Sequence, residues 1–149
     1  MIEEIIKVTG EVVVTVTNTE TGEVVQTEKQ NLVVNNGKTI LAKLLGHDAA
    51  YINDFIDKIA FGTGNTAAAS TQTALVAQVL TKAAAVTYPA FNQVQFSATM
   101  TGSEGGTNTF AEIALLSNTN NRMFSRLVIS PITKSTLYQI QVDWTISFQ

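Results

Sequence analysis

The sequence predicts a mainly β fold, an antiparallel β-sandwich of jelly-roll or immunoglobulin-like type with one or two short helices. Alternating apolar and polar residues recur along the chain, and turn-forming residues separate these segments at roughly even spacing. Only one stretch shows a clear helical period. We interpret residues 1–149 as one domain, large enough to bury roughly two-thirds of the surface that the unfolded chain exposes.

The N-terminal part predicts a β-hairpin over residues 11–28. Glu11–Thr17 and Glu23–Lys29 read as strands, and Asn18–Gly22 between them has the composition of a turn. Charged residues spread along the hairpin are typical of a sheet edge, where they oppose unwanted strand pairing. We therefore expect this hairpin at an edge.

The helical period lies in Lys38–Leu45, where four apolar residues follow one stripe and Gly46 is a suitable C-cap. Asn35–Gly37 is expected to interrupt the regular secondary structure before this helix begins. Thr71–Val79 is expected to add two helical turns.

Further strands are expected at intervals through the rest of the chain, which gives about eight or nine in all. Their segments are Lys58–Phe61, Leu80–Tyr88, Asn92–Thr101, Phe110–Ser117, Met123–Ser130 and Leu137–Gln149. The last is the longest, and it places Trp144, the single tryptophan, on an apolar face opposite a face of Gln, Asp, Thr and Ser. We expect it to form the centre of the core.

The composition argues against several classes of function. There are no cysteines, which excludes disulfides, thiol catalysis and zinc–thiolate sites. The net charge is −3 with scattered positive residues, so no nucleic acid or anionic membrane partner is expected. The N-terminus has no apolar run of signal-peptide or membrane-span length, so we expect synthesis in a cytoplasm without standard export.

Charged residues make up only 14% of the chain, whereas about 25% is usual. Thr, Asn, Gln and Ser take their place, and a neutral polar surface can be buried against another protein without stranding charges. This composition favours an assembly subunit over a free monomer.

A candidate partner-contact loop follows the Lys58–Phe61 strand, and it consists of Gly62, Thr63, Gly64, Asn65 and Thr66. Its glycines also suggest a phosphate-binding loop, but no helix opens directly after it and the surrounding pattern is antiparallel. A tight exposed loop is the better interpretation.

Other candidate chemistry is weak. His47 and Asp48 lie near Asp54 and Asp57, but their spacing matches no metal-ligand motif. His47 is the only histidine, which removes most nucleophile–base arrangements. We expect no enzyme activity, no cofactor, no metal and no small-molecule substrate.

Glu112 stands within the apolar run Phe110–Leu116, so its carboxylate must face water or be paired. Arg126 lies in the next strand, across the turn at Asn118–Asn121. We predict a structural ion pair between Glu112 and Arg126 across the two strands.

Several short motifs, in this order and spacing, resemble small virion proteins of tailed bacteriophages from about Lys29 onward. They include Lys29–Val34, Gly37–Leu45, Ile59–Ala67, Thr73–Leu75, Ala111–Leu116, Met123–Arg126, Ser130–Ile132 and Trp144–Ile146. Such proteins often carry Gly between the Ala and the Leu after the Glu, where this chain has Ile113-Ala114-Leu115. The resemblance implies a β-rich subunit that works by repetitive assembly, and it supplies no catalytic residues.

The expected function is therefore that of a virion structural protein of the tail, fibre or baseplate region. Its partners would be copies of itself and other virion proteins. A capsid decoration (cement) protein is the close alternative, and a carbohydrate- or receptor-binding module is an alternative of another class. A small hydrolase is the least favoured.

Overall fold

The computed structural model describes residues 3–149 and shows two five-stranded antiparallel sheets packed against each other, which confirms the predicted β-sandwich. In chain order the elements are β1 (Val8–Asn18), β2 (Val24–Gln30), β3 (Leu32–Val33), α1 (Asn35–Leu45), β4 (Ile56–Gly62), β5 (Gln78–Ala83), β6 (Ala85–Thr87), β7 (Gln93–Met100), β8 (Thr109–Ser117), β9 (Met123–Thr133) and β10 (Tyr138–Phe148). Sheet A has the order β2-β1-β10-β7-β6, and sheet B has the order β3-β9-β8-β4-β5.

β10 is the central strand of sheet A, as its alternation predicts. It pairs with β1 on one side and with β7 on the other. Its inward residues Ile140, Val142, Trp144 and Ile146 are buried in the main core. They pack between the sheets with Phe61, Phe96, Phe110, Ile113 and Leu115, among others. Burial of this apolar surface is the main force that holds the two sheets together.

The predicted N-terminal hairpin is present as β1 and β2, joined by a turn in which Gly22 has φ of +74°. Only a glycine adopts this left-handed conformation without strain. β2 lies at the edge of sheet A, as expected.

The helix begins three residues earlier than predicted, at Asn35, and the expected break at Asn35–Gly37 is wrong. Gly37 is buried, and a Cβ added there would lie 2.1 Å from the carbonyl oxygen of Phe124. The glycine therefore allows the first turn of α1 to pack directly on β9. Gly46 caps the helix as predicted, with its N–H donating to Ala42.

The two helical turns expected at Thr71–Val79 are absent, because this segment is irregular until β5 begins at Gln78. The single strand expected at Leu80–Tyr88 is also wrong, since the chain leaves sheet B after β5 and enters sheet A as β6. Between them the N–H of Ala84 donates to the carbonyl of Asp57. This crossing and the short β3 explain why residues 3–149 form ten strands, more than the eight or nine expected.

Sheet B carries a further layer on the side that faces away from sheet A. A second, smaller core lies there, formed by Val34, Ala60, Leu75, Ala114, Leu116 and Met123. Leu75 belongs to the irregular segment 63–77, which crosses this face beside α1. Both faces of sheet B are therefore covered, which explains why the β8 sequence is almost continuously apolar.

Glu104 provides a pH-dependent contact between β5 and the loop after β7. Its carboxylate lies 2.6 Å from Nζ of Lys82 and accepts a hydrogen bond from the N–H of Thr101. The hydrogen bond from Lys82 is the main cause that lowers the pKa of Glu104 from 4.5 to about 2. A carboxylate with a lowered folded-state pKa stabilises the fold above its unfolded pKa, and this contribution is lost as the pH falls through the folded value.

We therefore expect Glu104→Gln to lower the free energy of unfolding at pH 7 by about 1 kcal/mol or less, because the pair is partly exposed. The difference from the wild type should shrink as the pH falls below 4.5 and be largely lost at about pH 2, the folded-state pKa. Urea unfolding at pH 7, 4 and 2 measures it. A difference that stays constant with pH would contradict this origin.

Candidate interaction surfaces

The candidate loop Gly62–Thr66 begins at the last residue of β4 and is anchored by hydrogen bonds to Glu112. Oε1 of Glu112 accepts hydrogen bonds from the N–H groups of Gly64 (3.1 Å) and Ala77 (2.7 Å). Oε2 accepts one from the N–H of Val76 at 3.1 Å. One buried carboxylate thus fastens both ends of the segment 63–77 to sheet B.

Arg126 completes this cluster, and the predicted contact between Glu112 and Arg126 is present. Nε of Arg126 donates to Oε2 of Glu112 at 2.9 Å, and Nη2 lies 2.8 Å from the same oxygen. Both side chains are fully buried. The pair is diagonal, because the residue opposite Glu112 is Val128 and the residue opposite Arg126 is Ala114. Nη1 of Arg126 also donates to Oε1 of Gln72 in the middle of the segment.

The cluster explains the glycines that suggested a phosphate loop. A Cβ at Gly62 or Gly64 would lie 2.6–2.7 Å from Oε1 of Glu112, so both glycines make room for the carboxylate. The amides of Gly64, Val76 and Ala77 are directed at this internal anion and do not point to an external phosphate. Thr63, Asn65 and Thr66 are exposed and are free to contact a partner. The ion pair could be predicted from the sequence, but no residue pattern indicated that the three amides donate to the carboxylate of Glu112.

The outward face of sheet A is a mostly polar array in which uncharged side chains predominate, with Glu11 of β1, Glu28 of β2 and Asp143 of β10 as charged residues. Hydrogen bonds join neighbouring strands across it: Gln93 to Ser147, Gln95 to Thr145, and Gln26 to Thr15, each at 3.1 Å. At its centre Asp143 accepts from Ser97 at 2.6 Å and from Gln141 at 3.0 Å. These side chains are already oriented by one another, so little conformational entropy remains to be lost when a partner covers them.

An apolar patch lies at one end of the sandwich. A groove of about 390 Å³ lies between α1 and the β6–β7 edge of sheet A, and Leu44, Phe55, Val86 and Tyr88 line it among others. Leu45, the last residue of α1, is 91% exposed, and Phe91, between β6 and β7, is fully exposed. Exposed apolar residues at this density are typical of a contact surface.

Two of the residues considered as a metal site, Asp48 and Asp54, are used otherwise. Asp48 pairs with Lys43 at 2.9 Å, and Asp54 is buried against Ser117, Asn120 and Arg122. Burial acts to raise the pKa of Asp54, but its hydrogen bonds from Asn120 and Ser117 and the charge of Arg122 outweigh it and lower the pKa. Within residues 3–149 no three His, Cys, Asp or Glu side chains come together as metal ligands.

Lys134 is a buried cation that the sequence did not single out. Its Nζ donates to the carbonyls of Gly102 at 3.0 Å and Ser135 at 2.9 Å, so it joins the loop after β7 to the loop before β10. Burial lowers the pKa of Lys134. Both hydrogen bonds of Nζ connect parts of the fold, so the role of Lys134 is structural.

Comparison with known protein families, curated proteins and solved structures gave no match for this chain. In the described part of the chain, no helix has the length and apolar character needed to cross a membrane.

Proposed function

We propose that this chain is a bacteriophage virion structural protein, a non-enzymatic assembly subunit of the tail, fibre or baseplate region. The observation that carries the proposal is the outward face of sheet A, where hydrogen-bonded neutral side chains extend across adjacent strands and only Glu11, Glu28 and Asp143 carry charge. The motif resemblance to small tailed-phage virion proteins supplies the biological setting. The chain would act by contact with copies of itself and with other virion proteins.

The chemistry of this face supports such contact. Covering a charged side chain costs several kcal/mol of desolvation, whereas an amide or hydroxyl that keeps its hydrogen bond costs far less. The central strand β10 contributes Gln139, Gln141, Thr145 and Ser147, with Asp143 as its only charge. Asp143 keeps its hydrogen bonds to Ser97 and Gln141 when the face is covered.

The exposed residues Thr63, Asn65 and Thr66 offer a second contact. Because Glu112 anchors Gly64, which lies between Thr63 and Asn65, they form part of a fixed surface. Preorganised loops lose little entropy on binding, which favours repeated and uniform contacts between subunits.

Quantitative mass spectrometry of purified virions, together with light scattering of the isolated protein, tests this proposal. We expect the protein in particles at a few to a few tens of copies, and self-association in solution. Hundreds of copies would instead indicate capsid decoration. Specific binding on a glycan array would favour the carbohydrate- or receptor-binding module. A monomer that never accompanies particles would refute an assembly role.

A variant on the outward face gives a sharper test. We expect Thr145→Arg to reduce retention on virions at least about tenfold, because it places a long charged side chain, opposite Glu11, where the contact would have to desolvate it. Its own folding free energy should change by no more than about 1 kcal/mol, since the site is on the surface. Thr39→Arg on the exposed side of α1 is the matched control, and equal retention of both variants would argue against this face.

A further inference from the structure

β2 is an edge strand that leaves one row of backbone groups without a partner. In an antiparallel pair, alternate residues direct their N–H and C=O groups toward the neighbouring strand. Asn18 donates to the carbonyl of Glu23, and Asn31 donates to the carbonyl of Gly10, so the odd-numbered residues of β2 face β1. The N–H and C=O groups of Val24, Gln26 and Glu28 therefore point away from the sheet.

Nothing in the described chain covers this edge. All seven residues of β2 are exposed, and β1 is the only strand beside it within residues 3–149. Val24 and Val25 remain more than half exposed. An open strand of this length is a template for another strand unless its charges oppose the pairing.

The charges of β2 oppose most registers in which it could pair with β2 of a second copy, but they favour one register. In a two-fold antiparallel pair, one residue lies opposite its own copy, and this residue sets the register. An axis at Glu28 or Lys29 would place like charges face to face. An axis at Gln26 places Glu23 opposite Lys29 of the second copy, and the symmetry repeats this contact. An axis at Val25 or at Thr27 places no oppositely charged residues opposite each other.

From this complementarity we infer that two copies of the chain pair through β2, antiparallel, about a two-fold axis at Gln26. The two A sheets then form one continuous sheet with five strands from each copy. Their outward polar faces become a single surface of twice the width. The inference deepens the proposed assembly function, because it names a second copy as the partner and β2 as the contact.

Single cysteines test the register, because the natural chain has none. Opposed residues of a hydrogen-bonded pair have Cα atoms about 5.5 Å apart, within the range that a disulfide spans. Gln26→Cys should therefore give a disulfide-linked dimer under mild oxidation. Val24→Cys is the matched control, since the two copies of residue 24 lie about 13 Å apart along the strands. We expect cross-linking at least tenfold faster for Gln26→Cys, and equal rates would refute the register.

Charge exchange tests the same contact without a covalent bond. Glu23→Lys and Lys29→Glu should each raise the dimer dissociation constant roughly tenfold, because each creates two like-charge contacts. The double variant Glu23→Lys/Lys29→Glu restores opposite charges and should dimerise as the wild type does. Sedimentation equilibrium measures these constants, with circular dichroism to verify folding. A double variant as weak as the single variants would overturn the inference.

These outcomes separate the two proposals. If the wild type occupies virions but shows neither the selective disulfide nor the charge rescue, the β2 contact is wrong and the assembly function stands. If the protein is monomeric at all concentrations and is not found on particles, both proposals fail.

Discussion

Replacing Glu112 with alanine should lower the free energy of unfolding by about 3–5 kcal/mol, because it leaves the fully buried guanidinium of Arg126 without its counter-charge. It also removes the acceptor for the amides of Gly64, Val76 and Ala77. Urea unfolding measures the loss. Hydrogen exchange at these three amides should accelerate, since the segment 63–77 is no longer fastened to sheet B.

The matched variant is Arg126→Met, which should cost less because the carboxylate keeps its three amide donors. The double variant Glu112→Ala/Arg126→Met should be more stable than the sum of the two single losses indicates, as expected for coupled partners. Glu20→Ala is an exposed control that should change stability by no more than about 0.5 kcal/mol. Losses that add within that margin would show that the two buried charges do not stabilise each other.

The second large effect is expected at Trp144, which is fully buried at the centre of β10. Trp144→Ala should cost about 3–5 kcal/mol, because it removes the largest side chain of the core and leaves a cavity. Trp144→Phe should cost only about 1–2 kcal/mol, since the indole Nε1 is buried without a hydrogen-bond partner within residues 3–149 and its loss removes that penalty.

Far-UV circular dichroism in urea measures both Trp144 variants, since each removes the only tryptophan fluorescence. Phe91→Ala is the matched aromatic control, because that side chain is fully exposed and should change stability by about 0.5 kcal/mol or less. If Trp144→Phe proved as damaging as Trp144→Ala, the cavity would not be the cause of the loss.

Features that depend on local pattern could be predicted from the sequence. The period-two alternation of β10 and of β7 correctly predicted which of their side chains are buried, because one face of each strand lies on the core and the other on the surface. The hairpin β1–β2 followed from two apolar segments around a turn with a glycine. Glu112 and Arg126 could be paired because a carboxylate in an apolar run needs a partner.

Features that depend on distant contacts could not be predicted. Thr71–Val79 has a helical composition, but Glu112 binds the amides of Val76 and Ala77 and holds the backbone in an irregular path. Asn35–Gly37 resembles a break, yet the space that Gly37 leaves beside Phe124 allows the helix to begin there. The outward face of sheet A exists only once β1, β10 and β7 lie side by side, so single segments did not reveal it.

The position of β10 has a consequence for synthesis. Its register joins Val8 to Phe148, so β1 must wait for β10 to be synthesised before it gains its inner neighbour. Until β10 has left the ribosome, Val12 and Val14 have no β10 to pack beside. Contacts of such long sequence separation are associated with slow folding, in milliseconds to seconds. Newly made chains therefore complete sheet A only after β10 has emerged from the ribosome.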